Sequence, residues 1–102
     1  MKSKKNDNFL QELFFVIERR AKGKDEKSYT RSLIKDGKNK IAEKVAEEST
    51  ELIVDYLQGT KKRAVEEASD LIYHLLVMLY SKKITLKDIK KELSRRKNVR
   101  RK

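Results

Sequence analysis

The sequence predicts an all-α fold. The chain of 102 residues contains no proline and only three glycines, Gly23, Gly37 and Gly59, so long stretches run without a helix breaker. Apolar residues recur at three- and four-residue spacing across those stretches. No segment keeps up the two-residue alternation of a half-buried strand. The length is that of one domain, spanning residues 1–102 with short basic ends.

The first helix is expected to open near Asp7 or Asn8, either of which can cap it. Phe9, Leu10, Leu13, Phe14 and Ile17 form its apolar stripe. Arg19, Arg20 and Lys22 crowd its C-terminal end, where the helix dipole favours cations. Gly23 to Ser28 reads as a polar loop. A short helix follows from Tyr29 to Lys35, anchored by Leu33 and Ile34 and ended by Asp36-Gly37. A long helix is expected over Lys38–Gln58, with Ile41, Ala42, Val45, Ala46, Ser49, Leu52, Ile53, Tyr56 and Leu57 on one broad apolar face. Lys44, Glu48, Glu51 and Asp55 line one border of that face. Gly59 and Thr60 then supply a C-terminal stop and a new N-cap.

The next helix is expected over Lys61–Ser81. Ala64, Val65, Ala68, Leu71, Ile72, Leu75, Leu76 and Leu79 form its main apolar face, bordered by Glu67, Asp70 and His74. Its second half is apolar nearly all round, with Val77, Met78 and Tyr80 off the main face. Burial on both sides is implied, and in so short a chain this predicts a homodimer through those residues; the alternative is that the first helix and the Tyr29 segment cover them. In the last helix, Thr85 and Asp88 make a capping box and Ile84 and Ile89 a hydrophobic staple. That helix is expected to end near Arg95 or Arg96 and to dissolve into a basic tail.

The two long helices carry the chemistry. Glu47-Glu48-Ser49-Thr50-Glu51 and Glu66-Glu67-Ala68-Ser69-Asp70 each set acids three residues apart, on one face of a helix. If the helices fold back at Gly59-Thr60, Glu51 and Glu67 come level with each other. Glu48 and Asp70 do the same about one turn away. The bland reading is a solvated face with local ion pairs, and Lys44 lies within reach of both Glu47 and Glu48. Two levelled pairs go beyond that reading. Four converging carboxylates repel one another unless a hard cation such as Mg²⁺ lies between them. Such a centre suits hydrolysis of a phosphoanhydride, with a carboxylate positioning or deprotonating the water. The chain has no glycine-rich phosphate loop, so the metal and nearby Lys and Arg must hold the phosphates.

The pattern EExxE, a helix–turn–helix spacer, then ExxD resembles the MazG-like all-α NTP pyrophosphohydrolase superfamily. Within it the chain resembles the phosphoribosyl-ATP pyrophosphohydrolases of histidine biosynthesis. The likeness covers about Phe9 to Arg96 and includes FLQELFFVIERR, SYTRSLIKDGKNKIAEKVAEESTELI and EEASDLIYHLLVML. It implies a MazG-like helical bundle built on an antiparallel hairpin and Mg²⁺-dependent conversion of phosphoribosyl-ATP to phosphoribosyl-AMP and pyrophosphate. It further implies Glu48, Glu51, Glu67 and Asp70 as metal ligands, Glu47 or Glu48 as the catalytic acid–base group, and Lys44 as a phosphate contact. Lys40, Tyr29, Thr30, Arg31 and His74 are candidate substrate contacts. For His74 and Tyr29 the structural alternatives are a satisfied core histidine and a packing anchor, and for Thr30 a helix cap. Ser49-Thr50 and Ser69 depart from the small apolar residues frequent in relatives, without touching the implied ligands. Some relatives are fused to a cyclohydrolase; this chain has no room for one and lacks the Cys/His set of its zinc site.

Composition narrows the setting. There is no cysteine, hence no disulfide framework and no thiolate metal site. The polar N-terminus is not that of a signal peptide, and the longest apolar run, Leu75 to Tyr80, is too short to span a bilayer. A cytoplasmic protein is expected. With 27 Lys+Arg against 16 Asp+Glu, the formal charge of +11 suggests an anionic partner. Much of the excess is terminal, at Lys2, Lys4 and Lys5 and from Arg95 to Lys102, where solvated tails are common. The main alternative function is a house-cleaning NTP or dNTP pyrophosphohydrolase of the same superfamily. A basic nucleic-acid-binding helical protein is the weaker alternative, because it leaves the acids unexplained and they would repel DNA.

Overall fold

A computed structural model describes residues 8–100, with side chains as far as Lys97. Over that range the chain forms five helices: α1 (Phe9–Lys22), α2 (Tyr29–Asp36), α3 (Lys38–Gln58), α4 (Lys61–Ser81) and α5 (Leu86–Arg100). No strand occurs among the described residues. Asn8 occupies the N-cap of α1 but makes no side-chain cap bond, and Asp7 lies outside the described residues. Ser28, not Thr30, caps α2, accepting from the Arg31 amide at 3.2 Å. Gly37 closes α2 and opens α3 with φ 98°, a left-handed conformation that a side chain would strain.

The α3–α4 hairpin makes the most extensive helix contact of the fold. Its turn depends on close approach rather than on an unusual dihedral. Gly59 is extended, and a Cβ there would lie only 2.8 Å from Asp55 Cα. Thr60 then caps α4 by accepting from the Arg63 amide at 3.1 Å. α1 and α2 lie against the hairpin and close the core of Phe14, Ile17, Leu33, Ile41, Leu76 and Val77. Phe14 and Tyr80 meet edge to face with centroids 6.4 Å apart.

Burial corrects the expected faces of both long helices. On α3 the covered stripe runs Ile41, Val45, Glu48, Leu52, Asp55, while Ile53, Tyr56 and Leu57 are exposed. On α4, Glu67, His74, Leu76 and Val77 are buried, while Val65, Ile72 and Leu75 are exposed. Both stripes are rotated from the most apolar face toward the acid border. The two helices meet along those borders, and α1 and α2 pack on the same side. Val77 therefore cannot be the dimer contact expected of it: it is fully buried within the monomer. Met78 and Tyr80 also pack on this core.

The C-terminal helix differs from expectation too. It continues to Arg100 rather than stopping near Arg96, with no Pro or Gly to end it and Glu92 bound to both Arg95 and Arg96 on one face. Its start is as expected. The Thr85 amide donates to Asp88 at 2.9 Å, and the Asp88 amide donates to Thr85 Oγ1 at 3.1 Å. The basic residues Lys2, Lys4, Lys5, Arg101 and Lys102 lie outside the described residues.

Candidate active site

The hairpin brings Glu48 from α3 and Glu67 and Asp70 from α4 together. One carboxylate oxygen from each lies within 4.8 Å of the others. Glu48 and Glu67 are buried and Asp70 is exposed, so the cluster has a closed floor and an open rim. Glu48 Oε1 and Glu67 Oε1 are buried with no hydrogen-bond partner. Two orphaned buried carboxylate oxygens beside a third carboxylate are costly alone and fit an oxygen-seeking divalent cation.

Electrostatics mark the same crowding. Burial pushes the Glu48 carboxyl above its ordinary value; Asp70 and Glu67 add to the shift, and His74 and Lys44 oppose it. The Glu67 carboxyl is also raised, first by the neighbouring Glu51 carboxyl and then by burial, with Arg63 opposing. Glu51 thus stands against Glu67, at the margin of the cluster rather than within it. Glu47 is not brought to the cluster. It is exposed, and its carboxylate accepts from Lys44 Nζ at 3.3 Å. Lys44 spans Glu47 and Glu48, lying 3.9 Å from the latter. Lys40 pairs with the exposed Glu43 at 3.3 Å.

A residue that the periodicity did not single out holds Glu67 in place. Arg63 donates to Glu67 at 2.8 Å and to Glu66 at 2.7 Å, and lies 4.0 Å from Asp55. The signal was present as Arg four residues before Glu, but such spacing is common on any helix.

α2 closes the other side of the cluster. Tyr29 hydroxyl and His74 Nε2 are 2.8 Å apart, and His74 Nδ1 lies 2.8 Å from the Asp70 carbonyl oxygen. A carbonyl only accepts, so Nδ1 carries a proton, and Nε2 shares its hydrogen bond with the Tyr29 hydroxyl. Burial pushes the Tyr29 phenol up, with Lys44 opposing. Tyr29 stacks on Tyr73, and Thr30, itself buried, is hydrogen-bonded to the Tyr73 hydroxyl. Tyr29 thus anchors α2 by its hydroxyl and leaves half its surface exposed. Arg31 contributes its backbone amide to the α2 cap and joins neither the acids nor the cavity beside Tyr29.

An all-helical hairpin that gathers carboxylates at its crossing, with lysine and arginine at the rim, defines a helical protein with a carboxylate-lined site. The family model described as Phosphoribosyl-ATP pyrophosphohydrolase matches residues 10–97. The chain belongs to the phosphoribosyl-ATP pyrophosphohydrolase family. It is 50% identical over 91 residues to a phosphoribosyl-ATP pyrophosphatase of Sulfolobus acidocaldarius, covering 89% of this chain and 96% of that one. A phosphoribosyl-ATP pyrophosphatase of Clostridium acetobutylicum is 45% identical over 90 residues, covering 88% of this chain and 82% of that protein. The Bacteroides thetaiotaomicron histidine biosynthesis bifunctional protein HisIE is 42% identical over 88 residues, 86% of this chain but 43% of that longer protein.

Proposed function

We propose that this chain hydrolyses phosphoribosyl-ATP to phosphoribosyl-AMP and pyrophosphate, a step of histidine biosynthesis in the cytoplasm, and that it does so with Mg²⁺. Two observations support the reading: membership of the family, and three convergent carboxylates with two orphaned buried oxygens. The second carries the chemistry. Glu48, Glu67 and Asp70 would hold the metal, with Glu51 at the margin. Bound there, the ion would neutralise polyphosphate charge and acidify a water.

The chain's own residues supply the rest. Arg63 fixes the Glu67 rotamer. The Tyr29–His74 pair holds α2 over the cluster. Lys44, between Glu47 and Glu48, is the cation beside Glu48 and is suited to a phosphate oxygen. Its proton is held by the hydrogen bond to Glu47, which raises its pKa. Glu48, which belongs to the cluster, is better placed than the outlying Glu47 to accept a proton from water. Glu47 acts through Lys44.

The same reading includes a homodimer, now through a different surface from the one expected. Ile53, Tyr56, Leu57, Val65, Ile72 and Leu75 lie exposed on the hairpin. So much apolar surface on a small chain favours association.

Incubation with phosphoribosyl-ATP, dUTP and the common NTPs, each with and without Mg²⁺, tests the function. Pyrophosphate from phosphoribosyl-ATP in preference to the others, and only with the metal, is expected. Preference for dUTP or an NTP would transfer the chain to the house-cleaning class.

A further inference from the structure

A cavity beside Tyr29 shares none of its lining residues with the acid cluster. It has a volume of about 490 Å³ and lies between the last turn of α1, the loop after it and the start of α2. Arg19, Arg20 and Lys27 line it, and Tyr29 and Tyr73 form its wall. Asp25 is the one acid on the lining, and its carboxylate accepts the Lys27 amide at 2.9 Å. The three cations are in no ion pair among the described residues, whereas Arg63, Arg95 and Arg96 are all engaged by carboxylates. The helix dipole accounts for arginines at the end of α1. It does not account for a lysine from the loop and two tyrosines closing a cavity around them.

Tyr29 joins this cavity to the acids. It belongs to the cavity wall, and its hydroxyl binds His74, which is fixed to the Asp70 carbonyl. A ligand with anionic groups at two ends, lying across Tyr29, would meet both. Phosphoribosyl-ATP is such a molecule, with a triphosphate on one ribose and a phosphomonoester on the other. ATP lacks that second arm, so an enzyme that must ignore ATP has to read it.

We propose that Arg19, Arg20 and Lys27, in the cavity walled by Tyr29 and Tyr73, bind the sugar phosphomonoester at the far end of the substrate and so distinguish it from ATP. The proposal rests on the phosphoribosyl-ATP reading above. Two dissociable charges on a phosphomonoester match the excess of cations over Asp25, and arginine offers the paired donors that phosphate oxygens take.

Calorimetric titration of the full chain with phosphoribosyl-AMP and with AMP tests it, because the two ligands differ by that one arm. The wild type should bind phosphoribosyl-AMP about tenfold or more tightly than AMP. Arg19→Gln/Lys27→Gln should bring the ratio close to one and leave the AMP affinity within about twofold. Ribose 5-phosphate should compete with phosphoribosyl-AMP on the wild type. Lys90→Gln removes one positive charge on α5, away from the cavity, and should keep the ratio. A wild-type ratio near one, a ratio retained in the double variant, or one lost equally in Lys90→Gln would overturn the assignment. Each of those can occur while the wild type still releases pyrophosphate from phosphoribosyl-ATP, which leaves the catalytic reading standing. A wild type that prefers dUTP or an NTP in the substrate panel overturns both.

Discussion

Glu48 concentrates the tension of the site in one residue. It is buried, raised in pKa by burial and by Asp70, and has an oxygen without a partner. A carboxyl whose folded pKa exceeds its ordinary value of 4.5 makes the folded state bind the extra proton. Stability from Glu48 and Glu67 therefore falls as pH rises through the window between 4.5 and their raised values, and the penalty is full above it. Glu92 and Asp88 act oppositely. The hydrogen bond from Arg95, reinforced by Arg96, holds Glu92 down to about 2, and the Thr85 amide lowers Asp88. Their stabilisation is present above their ordinary values and lost as pH falls through the lowered ones. Without metal, melting temperature should decline as pH rises above about 4.5 through the raised values of these two carboxyls, and saturating Mg²⁺ should abolish that decline. Thermal melts from pH 4 to pH 8 with Mg²⁺ or a chelator measure this, and a metal-free melt that rises steadily to neutrality contradicts it. Tyr29→Phe removes the hydroxyl bonded to His74 Nε2 and should cost about 1 kcal/mol in urea unfolding. The acid spacing was legible in the sequence. The Tyr29–His74 bond was not, because nothing local sets the height at which α2 crosses α4.

At the scale of elements, the helices were legible because their ends are written in local chemistry. Thr60, Thr85 with Asp88, and Gly37 sit where caps and stops were expected. The end of α4 falls at Ser81 as expected, although no glycine marks it. Lys83 takes the left-handed position that glycine usually fills, at φ 63°, while the Ile84 amide returns to the Leu79 carbonyl at 2.8 Å. Lys83→Gly should therefore stabilise the fold by about 1 kcal/mol in urea, and a loss of stability would show that Lys83 is held there by something more. Which apolar arc of α4 faces the core was not legible. Its second half offers two such arcs, and periodicity alone cannot say which one α1 covers. The covered one holds Leu76 and Val77; the open one holds Ile72 and Leu75.

For the whole molecule, that choice moves the expected dimer contact from one side of the hairpin to the other. Val77→Ala should cost about 2 kcal/mol of stability without weakening association, because Val77 is internal to the chain. Ile72→Lys with Leu75→Lys should do the reverse, leaving helicity intact and shifting equilibrium sedimentation toward monomer. A wild type that is monomeric at micromolar concentration would remove the dimer. No helix among the described residues is long and apolar enough to cross a membrane, so a span does not compete for these apolar side chains. The charge divides in a similar way. Arg95 and Arg96 are tied to Glu92, whereas Arg19, Arg20 and Lys27 surround a cavity beside Tyr29. A chain ending at Ser94 should accordingly keep most of its turnover.

The proposed role of Glu48, Glu67 and Asp70 is that of a joint cation site for splitting phosphoribosyl-ATP. Its most direct test is pyrophosphate release from that substrate by wild type and Asp70→Asn at saturating Mg²⁺. Asp70 is the exposed member of the cluster, so the substitution removes a charge without opening a core. Turnover should fall at least about a hundredfold while the metal-free melting temperature stays unchanged or rises slightly, one of three repelling charges having gone. Near-normal turnover in Asp70→Asn would contradict the account.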